Sequence, residues 1–355
     1  RTGRFGSIRG ADASTVEARR SAGCPAPLSS RSRPEVPIRI DAAPVEQGLD
    51  QRGQLSFPAL STYASALFGF GFGGAKVVEL DRISGQAKRG DVVFFGVDTE
   101  LNRRFGRANP GAAAFIRKNT AGMMPWTQAQ GCRCHDVGLI ASDDSTEATS
   151  EAFALSEHLA GLGFRPVLVG CDHTASMVNV LGATQGNRRP PVYLFLDAHL
   201  DLGLHSGSDD LHNGNFVDFL RRSEQILRVV NVGGRSCSTF DPVYRDLEPE
   251  FQWIPGGVHR PSVAEMIERL GPLRSSPVYV SLDADVLDPA HAPNVACPEP
   301  FGMVPDELLA LCEWIGASCE VLGGDLCELV PAAPSLGLEQ VLMRCLHALF
   351  PGGHP

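Results

Sequence analysis

Val192-Tyr193-Leu194-Phe195-Leu196-Asp197-Ala198-His199-Leu200-Asp201 runs an apolar stretch of strand length straight into alternating acids and a histidine. Outward from it the same rhythm repeats. Short apolar, β-branched runs alternate with longer segments of helical period, the pattern of a parallel sheet with crossover helices. Strands are expected over 92–97, 137–140, 166–170, 192–196, 228–232, 251–254, 278–282 and 320–323. Between the second and third, Ala148, Ala152, Leu155, Leu159 and Leu162 recur at steps of three and four, one face of an amphipathic helix. Ser262 with Glu265 makes a capping box, and Pro305 followed by Asp306 and Glu307 suits the first turn of another helix. The expected fold is α/β, three layers α-β-α around a mainly parallel eight-stranded sheet.

Composition narrows the function classes. Apolar residues are 43% and charged residues 20% of 355, which is globular usage and leaves the bulk of the chain folded. A net charge of -10 lacks the positive field that collects phosphates, so no nucleic-acid partner is expected. The chain has no run of 18 apolar residues, and so no membrane span is expected. Ten cysteines are scattered too thinly for a disulfide scaffold and point to a reducing, cytoplasmic setting. Cys132 and Cys134 have no second pair at zinc-finger spacing and read as ordinary thiols.

Residues 1–36, rich in Arg, Ser and Gly without apolar periodicity, are expected to be a disordered extension. Residues 37–90 read as an N-terminal segment packing on a main domain over 91–355, with an apolar patch at 57–72 and a short strand at 77–80. Gly69, Gly71 and Gly74 satisfy G-x-G-x-x-G, but the strand-like run follows the motif instead of preceding it. A flexible Gly/Phe turn is expected there, not a dinucleotide site.

The informative polar residues all lie just after strands, at the carboxyl ends where open parallel sheets bind ligands. They are Cys171-Asp172-His173, Asp197-Ala198-His199-Leu200-Asp201, Asp283-Ala284-Asp285, and Asp325 with Glu328. Spacings of two and four on an extended chain direct Asp197, His199 and Asp201 to one face, and Asp283 with Asp285 repeats the geometry. A single Asp at a strand end is more often a cap or turn residue than a ligand. Recurrence at several strand ends of one sheet needs another cause. Converging carboxylates repel and lose hydration unless a cation neutralises them. Four carboxylates with His173 and His199 would balance two divalent cations. Such carboxylate-rich, thiolate-free donors suit manganese better than structural zinc.

From Asp91 onward these motifs resemble the ureohydrolases, the family of arginases, agmatinases, guanidinobutyrases and formimidoylglutamases. Leu168-Val169-Gly170-Cys171-Asp172-His173-Thr174 resembles G-G-D-H-S, with Cys171 in place of the second Gly. Asp197 to Asp201 matches D-A-H-x-D, and Ser281 to Pro289 matches S-x-D-x-D-x-x-D-P. Asp325 to Pro331 resembles the D-x-x-E-x-x-P segment. The resemblance implies an arginase/deacetylase-like fold and two Mn2+ per subunit. His173 and Asp201 would serve the first metal, His199 and Asp285 the second, and Asp197 and Asp283 would bridge. It further implies hydrolysis of a C–N bond in a linear amidine, with Glu328 holding the amidinium, potentially through a bidentate hydrogen bond. His212, in Leu211-His212-Asn213-Gly214, would relay protons where the family often has His-Gly; the alternative is a surface histidine. Asp172 and Asp325 would orient ligands or cap turns, His205 reads as a solvated loop residue, and Asp288 as a turn cap.

Substrate loops match less well. The segment 202–207 lacks the arrangement with which arginases hold an amino-acid end, and 292–301 resembles agmatinases with departures at Asn294, Val295 and Cys297. The implied substrate is therefore a small guanidino or amidine compound, most simply one releasing urea. A formimidoylglutamase, releasing formamide and using a basic residue such as Arg235 for substrate carboxylates, is the alternative. A catalytically silent assembly or regulatory subunit is a third reading. Family resemblance also implies a homo-oligomer, trimer or hexamer.

Overall fold

In the computed structural model the described residues are 56–62, 64, 66–67, 69–123, 133–203, 210–236, 250–332 and 337–351. The expected extension over 1–36 and the loop carrying His205 lie outside them. Ten strands are present among the described residues: β1 (Leu60–Ser61), β2 (Lys76–Val77), β3 (Val92–Val97), β4 (Cys134–Ile140), β5 (Arg165–Val169), β6 (Val192–Leu196), β7 (Arg228–Val232), β8 (Phe251–Ile254), β9 (Pro277–Asp283) and β10 (Glu320–Cys327). They form one sheet in the order β1-β4-β3-β5-β10-β9-β6-β7-β8, with β2 also on β4. Every pairing except β1 with β4 is parallel. The eight expected main-domain strands are β3 to β10; the short strand expected over 77–80 is β2, confined to Lys76–Val77, and β1, also of two residues, is added.

The strands are apolar throughout because both faces are covered. In β3, Val92 and Phe94 enter one core while Val93 and Phe95 enter another, so each pleat direction meets its own helix layer. The α-helices among the described residues are α1 (Ile83–Gln86), α2 (Ala112–Thr120), α3 (Ser145–Gly161), α4 (Thr174–Asn187), α5 (Phe216–Arg221), α6 (Val263–Leu270), α7 (Pro305–Ser318) and α8 (Leu338–Ala348), beside short 3-10 turns. Residues of α2, α6, α7 and α8 pack on one face, and residues of α3, α4 and α5 on the other. The expected helix face is α3, with Ala148, Ala152, Leu155 and Leu159 all fully buried. Ser262 and Glu265 do form a reciprocal capping box at α6. No helix among the described residues is long and apolar enough to cross a membrane.

Two strands run well past their expected limits, each for its own physical reason. Extending β4 back to Cys134 requires burying Asp136, which is possible because Arg117 Nε and Nη2 reach its two oxygens at 2.9 and 2.7 Å. Extending β10 from Gly323 to Cys327 carries the strand through Gly324, a residue disfavoured in strand interiors, and Asp325. Yet a Cβ on Gly324 would lie 2.7 Å from the Val280 carbonyl, so the glycine serves close strand packing. The Gly69–Gly74 segment is a turn, as expected, but a packed one. Phe72, Gly73 and Gly74 are buried, and a Cβ on Gly71 would fall 1.8 Å from Asp136 Oδ2.

Topology places the site. Val169, Leu326, Leu282 and Leu196 form one register row across the adjacent strands β5, β10, β9 and β6. The next positions, Gly170, Cys327, Asp283 and Asp197, therefore leave the sheet side by side. All four polar strand ends found in the sequence belong to these four neighbours. They meet where β9 and β10 are inserted between β5 and β6, a switch point in strand order.

Candidate metal centre

His173, the residue preceding α4, is almost fully buried. Its Nδ1 faces Asp197 Oδ2 at 3.1 Å, Asp201 Oδ2 at 3.2 Å and Asp283 Oδ2 at 3.3 Å. His199 Nδ1 faces Asp285 Oδ2 at 3.0 Å and Asp197 Oδ1 at 3.4 Å. Asp197 is common to two groups able to hold an ion, His173-Asp197-Asp201 and Asp197-His199-Asp285. Asp283 joins the first of these through Oδ2.

Backbone amides fix the aim of the carboxylates. Asp197 Oδ1 accepts the His199 N–H at 2.6 Å, Asp283 Oδ1 the Asp285 N–H at 2.8 Å, and Asp285 Oδ1 the Ala198 N–H at 3.1 Å. Each uses one oxygen on the strand-end turn and turns the other toward a histidine. Asp201 reaches the cluster from a left-handed backbone, φ 47°, a conformation a non-glycine residue holds at a cost of about 1–3 kcal/mol.

The donor set fits a pair of divalent cations. His173 Nδ1 and Asp197 Oδ2 are buried and neither makes a hydrogen bond, although they lie 3.1 Å apart. Donors about 2.1 Å from one octahedral ion and at right angles are about 3 Å apart, the spacing seen here. The converging acids crowd one another. Burial, then Asp285 and Asp197, push Asp283 well above the usual carboxylate range. Burial and Asp197 push Asp201 up to about 6. Burial opposes charge on both histidines, yet Tyr193 with Asp197 and Asp201 holds His173, and Asp285 with Asp197 holds His199, well above the ordinary histidine value. A bound cation relieves that mutual dependence.

Outside the cluster, His173 Nε2 lies 2.8 Å from Ser281 Oγ, and Ser281 donates to Asp325 at 2.7 Å. On the other histidine, Nε2 stands 3.7 Å from Glu299 Oε1. Asp172 has a different job: it accepts from Leu101 N, Asn102 N and Thr174 N, capping a turn and holding a loop. Asp288 accepts from Ala290 N and Gly302 N, the expected cap. Cys171 donates to the Val97 carbonyl at 3.5 Å, and burial pushes its thiol well up.

Glu328 follows β10 in a left-handed conformation, φ 65°, and accepts the His173 N–H on Oε1 at 2.8 Å. Arg103 Nη2 donates to Oε2 at 2.8 Å, and Asn213 Nδ2 to Oε1 at 3.3 Å. Burial pushes Glu328 up to about 7 while Arg103 pulls it down. His212 is 2% exposed, which removes the surface-histidine alternative. Its Nδ1 accepts from Gly214 N at 3.1 Å, placing the proton of the neutral ring on Nε2, which is buried without a hydrogen-bond partner. Burial, then Arg104, lowers its pKa. Phe105 stands edge-on to it at 5.3 Å.

Arg235 does not hold a substrate carboxylate. Its guanidinium donates to the carbonyls of Pro300, Gly233, Val286, Asp285, Leu287 and Glu299, bracing the loop around Asp285. Arg103, Ser281 and Glu299 were given no role by the sequence. Ser281 lies inside a quoted motif, whereas Arg103 is one of several arginines in a loop without periodicity and carries no local signal.

A parallel sheet with carboxylates and histidines converging at its switch point is the architecture of arginase-like α/β proteins. The arginase of Bacillus cereus superposes with a TM-score of 0.61 at 19% identity, covering 75% of this chain and 100% of that one. A hypothetical agmatinase from Burkholderia thailandensis gives 0.64 at 21% identity, over 74% and 84%. The chain belongs to the arginase family, whose model it matches over residues 90–339. The mitochondrial guanidino acid hydrolase of Homo sapiens is 30% identical over 216 residues, 58% of this chain but only 57% of that protein's length. The guanidinobutyrase of Pseudomonas aeruginosa is 25% identical over 300 residues, 76% of this chain and 89% of that protein.

Proposed function

We propose that the chain is a dinuclear manganese hydrolase cleaving a C–N bond of a linear amidine and releasing urea from a guanidino compound of the agmatinase or guanidino-acid type. The observation that carries this reading is the pair of donor groups sharing Asp197, with the Glu328 carboxylate bound to the backbone of His173. His173, Asp197, Asp201 and Asp283 would hold one ion, and His199 and Asp285 the other with Asp197; Asp283, expected as a second bridge, is grouped with the first ion because its Oδ2 faces His173. Two bound divalent cations supply an activated water near neutral pH.

The remaining steps belong to the chain. Glu328 receives the amidinium by a charge-assisted hydrogen bond and fixes the planar carbon near the cluster. His212 carries its ring proton on Nε2 and is the candidate hydrogen-bond donor to the departing amine; to pass a proton on, the ring must first take a second one, because a neutral ring would be left as imidazolate. Exclusion of water by the buried surroundings strengthens both interactions. The described cysteines are free thiols, in keeping with a reducing compartment such as the cytoplasm. By family likeness the active form is a homo-oligomer acting on a small molecule.

The test combines metal analysis with product identification. Purified chain saturated with manganese is expected to retain about two ions. It is then assayed for urea and formamide over agmatine, guanidinobutyrate, arginine and formimidoylglutamate. Urea from a guanidino compound supports the proposal. Formamide from formimidoylglutamate supports the alternative, toward which a formimidoylglutamase of Geobacillus thermodenitrificans, 26% identical over 271 residues, also points. Failure to retain manganese sinks both.

A further inference from the structure

We infer that Arg103 is a positioning residue that sets how Glu328 meets the substrate, and that Asn213 locks the loop carrying it. The inference rests on the proposed reading of Glu328 as the amidinium acceptor. It starts from an unusual juxtaposition, a guanidinium of the chain seated on the carboxylate that would receive one from substrate.

Two arrangements could produce that contact: a displaceable mimic blocking the seat, or a permanent brace. The surroundings favour the brace. Arg103 Nη2 donates to Glu328 Oε2 at 2.8 Å and to Asn109 Oδ1 at 2.6 Å. Its Nη1 donates to the Phe105 carbonyl at 2.9 Å, and its Nε to Glu100 Oε1. The side chain is 8% exposed. Asn109 is itself fully buried and donates to the carbonyls of Cys171 and Leu329 at 2.9 and 3.0 Å, on either side of the site. Swinging Arg103 away from Glu328 would strip Asn109 Oδ1 of its donor and take one donor each from the Phe105 carbonyl and Glu100 Oε1, a loss a release device would avoid.

Asn213 fixes the loop from the other side. Its Oδ1 accepts from Arg104 N at 3.0 Å and Phe105 N at 3.2 Å, and its Nδ2 donates to the Phe105 carbonyl at 3.1 Å and to Glu328 Oε1 at 3.3 Å. Its backbone N–H donates to Asn102 O at 3.1 Å. A glycine at this position would keep only the last bond.

Counting acceptors gives the consequence. A carboxylate offers about four lone-pair sites. Oε1 already accepts from His173 N and Asn213 Nδ2, and Oε2 from Arg103. One site on Oε2 is left, so the substrate docks by a single N–H and the fork expected from the sequence is not available. Arg103 selects which site that is.

The experiment is steady-state kinetics with the best substrate of the panel, on manganese-loaded wild type, R103Q, R103K, N213G, E328Q and the R103Q/E328Q double variant. R103Q is expected to raise KM about 10- to 100-fold, with less change in kcat and unchanged manganese content, because misplacing the anchor weakens capture. R103K restores part of the loss, and N213G raises KM several-fold. In the E328Q background R103Q adds about twofold or less, since its effect runs through Glu328. A lower KM in R103Q identifies a displaceable blocker and overturns the inference. So does a full R103Q penalty in the E328Q background, or no effect of R103Q. Should R103Q misfold, an unchanged KM in both R103K and N213G overturns it equally. A wild-type chain that turns over no panel member overturns the proposed function and this inference together, whereas an active wild type with an unaffected R103Q overturns this inference alone.

Discussion

Ser281 links Asp325 to His173 through one oxygen: its Oγ donates to Asp325 Oδ1 at 2.7 Å and lies 2.8 Å from His173 Nε2. Because that hydroxyl proton goes to Asp325, the oxygen accepts, and Nε2 must be the protonated nitrogen of the neutral ring. Nδ1 is then a lone pair aimed at Asp197, Asp201 and Asp283. Asp325 is held in turn by Ser176 Oγ and Tyr279 Oη, each at 2.7 Å, so a buried network sets the tautomer from beneath. Replacing Ser281 by Ala should lower manganese affinity by about 10- to 100-fold while the fold persists. Chelator competition on wild type and variant measures it, and equal affinities would show that Ser281 does not orient the ring.

Asp197 is the carboxylate shared by both donor groups, while Asp201 and Asp285 each belong to one. Metal content should therefore separate the variants. After dialysis against trace manganese, Asp197→Ala is expected to retain well under one ion and no turnover, whereas Asp201→Ala and Asp285→Ala each keep about one. Elemental analysis per chain decides. Equal losses in all three variants would contradict two groups joined at Asp197.

The contrast between Asp325 and Asp172 shows what a sequence can disclose here. The six cluster residues were legible because the strand period of two and the carboxyl-end rule act locally, and each donor lies within five residues of an apolar run. Asp325 and Asp172 look alike in sequence, each an acid in a strand-end loop. Only the fold separates them, since Asp325 meets hydroxyls from α4 and β9 while Asp172 meets the amides of Leu101 and Asn102. Arg103 was illegible for the same reason: its partner Glu328 is 225 positions away. Strand lengths were misread where burial of a polar residue depends on a distant partner, as Asp136 depends on Arg117.

That last pair makes a stability prediction. Arg117 and Asp136 are both fully buried, and Arg117 also donates to the carbonyls of Thr62 and Ala64. Arg117→Met leaves Asp136 with the backbone N–H groups of Phe72 and Gly138 but no opposite charge, and takes a donor from two carbonyls, so a loss of about 3–5 kcal/mol is expected. Exchanging Asp136 for Asn as well should recover part of it by removing the uncompensated charge. Urea unfolding of the single and double variants measures both. A single variant within about 1 kcal/mol of wild type would mean that water replaces the pair.

A buried histidine away from the site supplies an acid-stability test. His347, in α8, is 1% exposed, both its ring nitrogens lack a hydrogen-bond partner, and Phe94 stands edge-on at 5.9 Å. Burial, then Arg344, lowers its pKa from 6.5 to about 4. The sign follows from proton counting. Between these values the unfolded chain binds a proton that the folded chain refuses, so stability is fully present above about pH 6.5 and falls as pH drops toward about 4, where the folded form takes the proton too. The shift corresponds to about 3 kcal/mol. His347→Leu removes the group and two unsatisfied buried nitrogens, so it should be at least as stable as wild type at pH 7 and should lose that much less stability on going to pH 4. Unfolding free energies at pH 7, 5.5 and 4, compared between the two proteins, check it. Parallel pH profiles would show that His347 is protonated alike in the folded and unfolded chain.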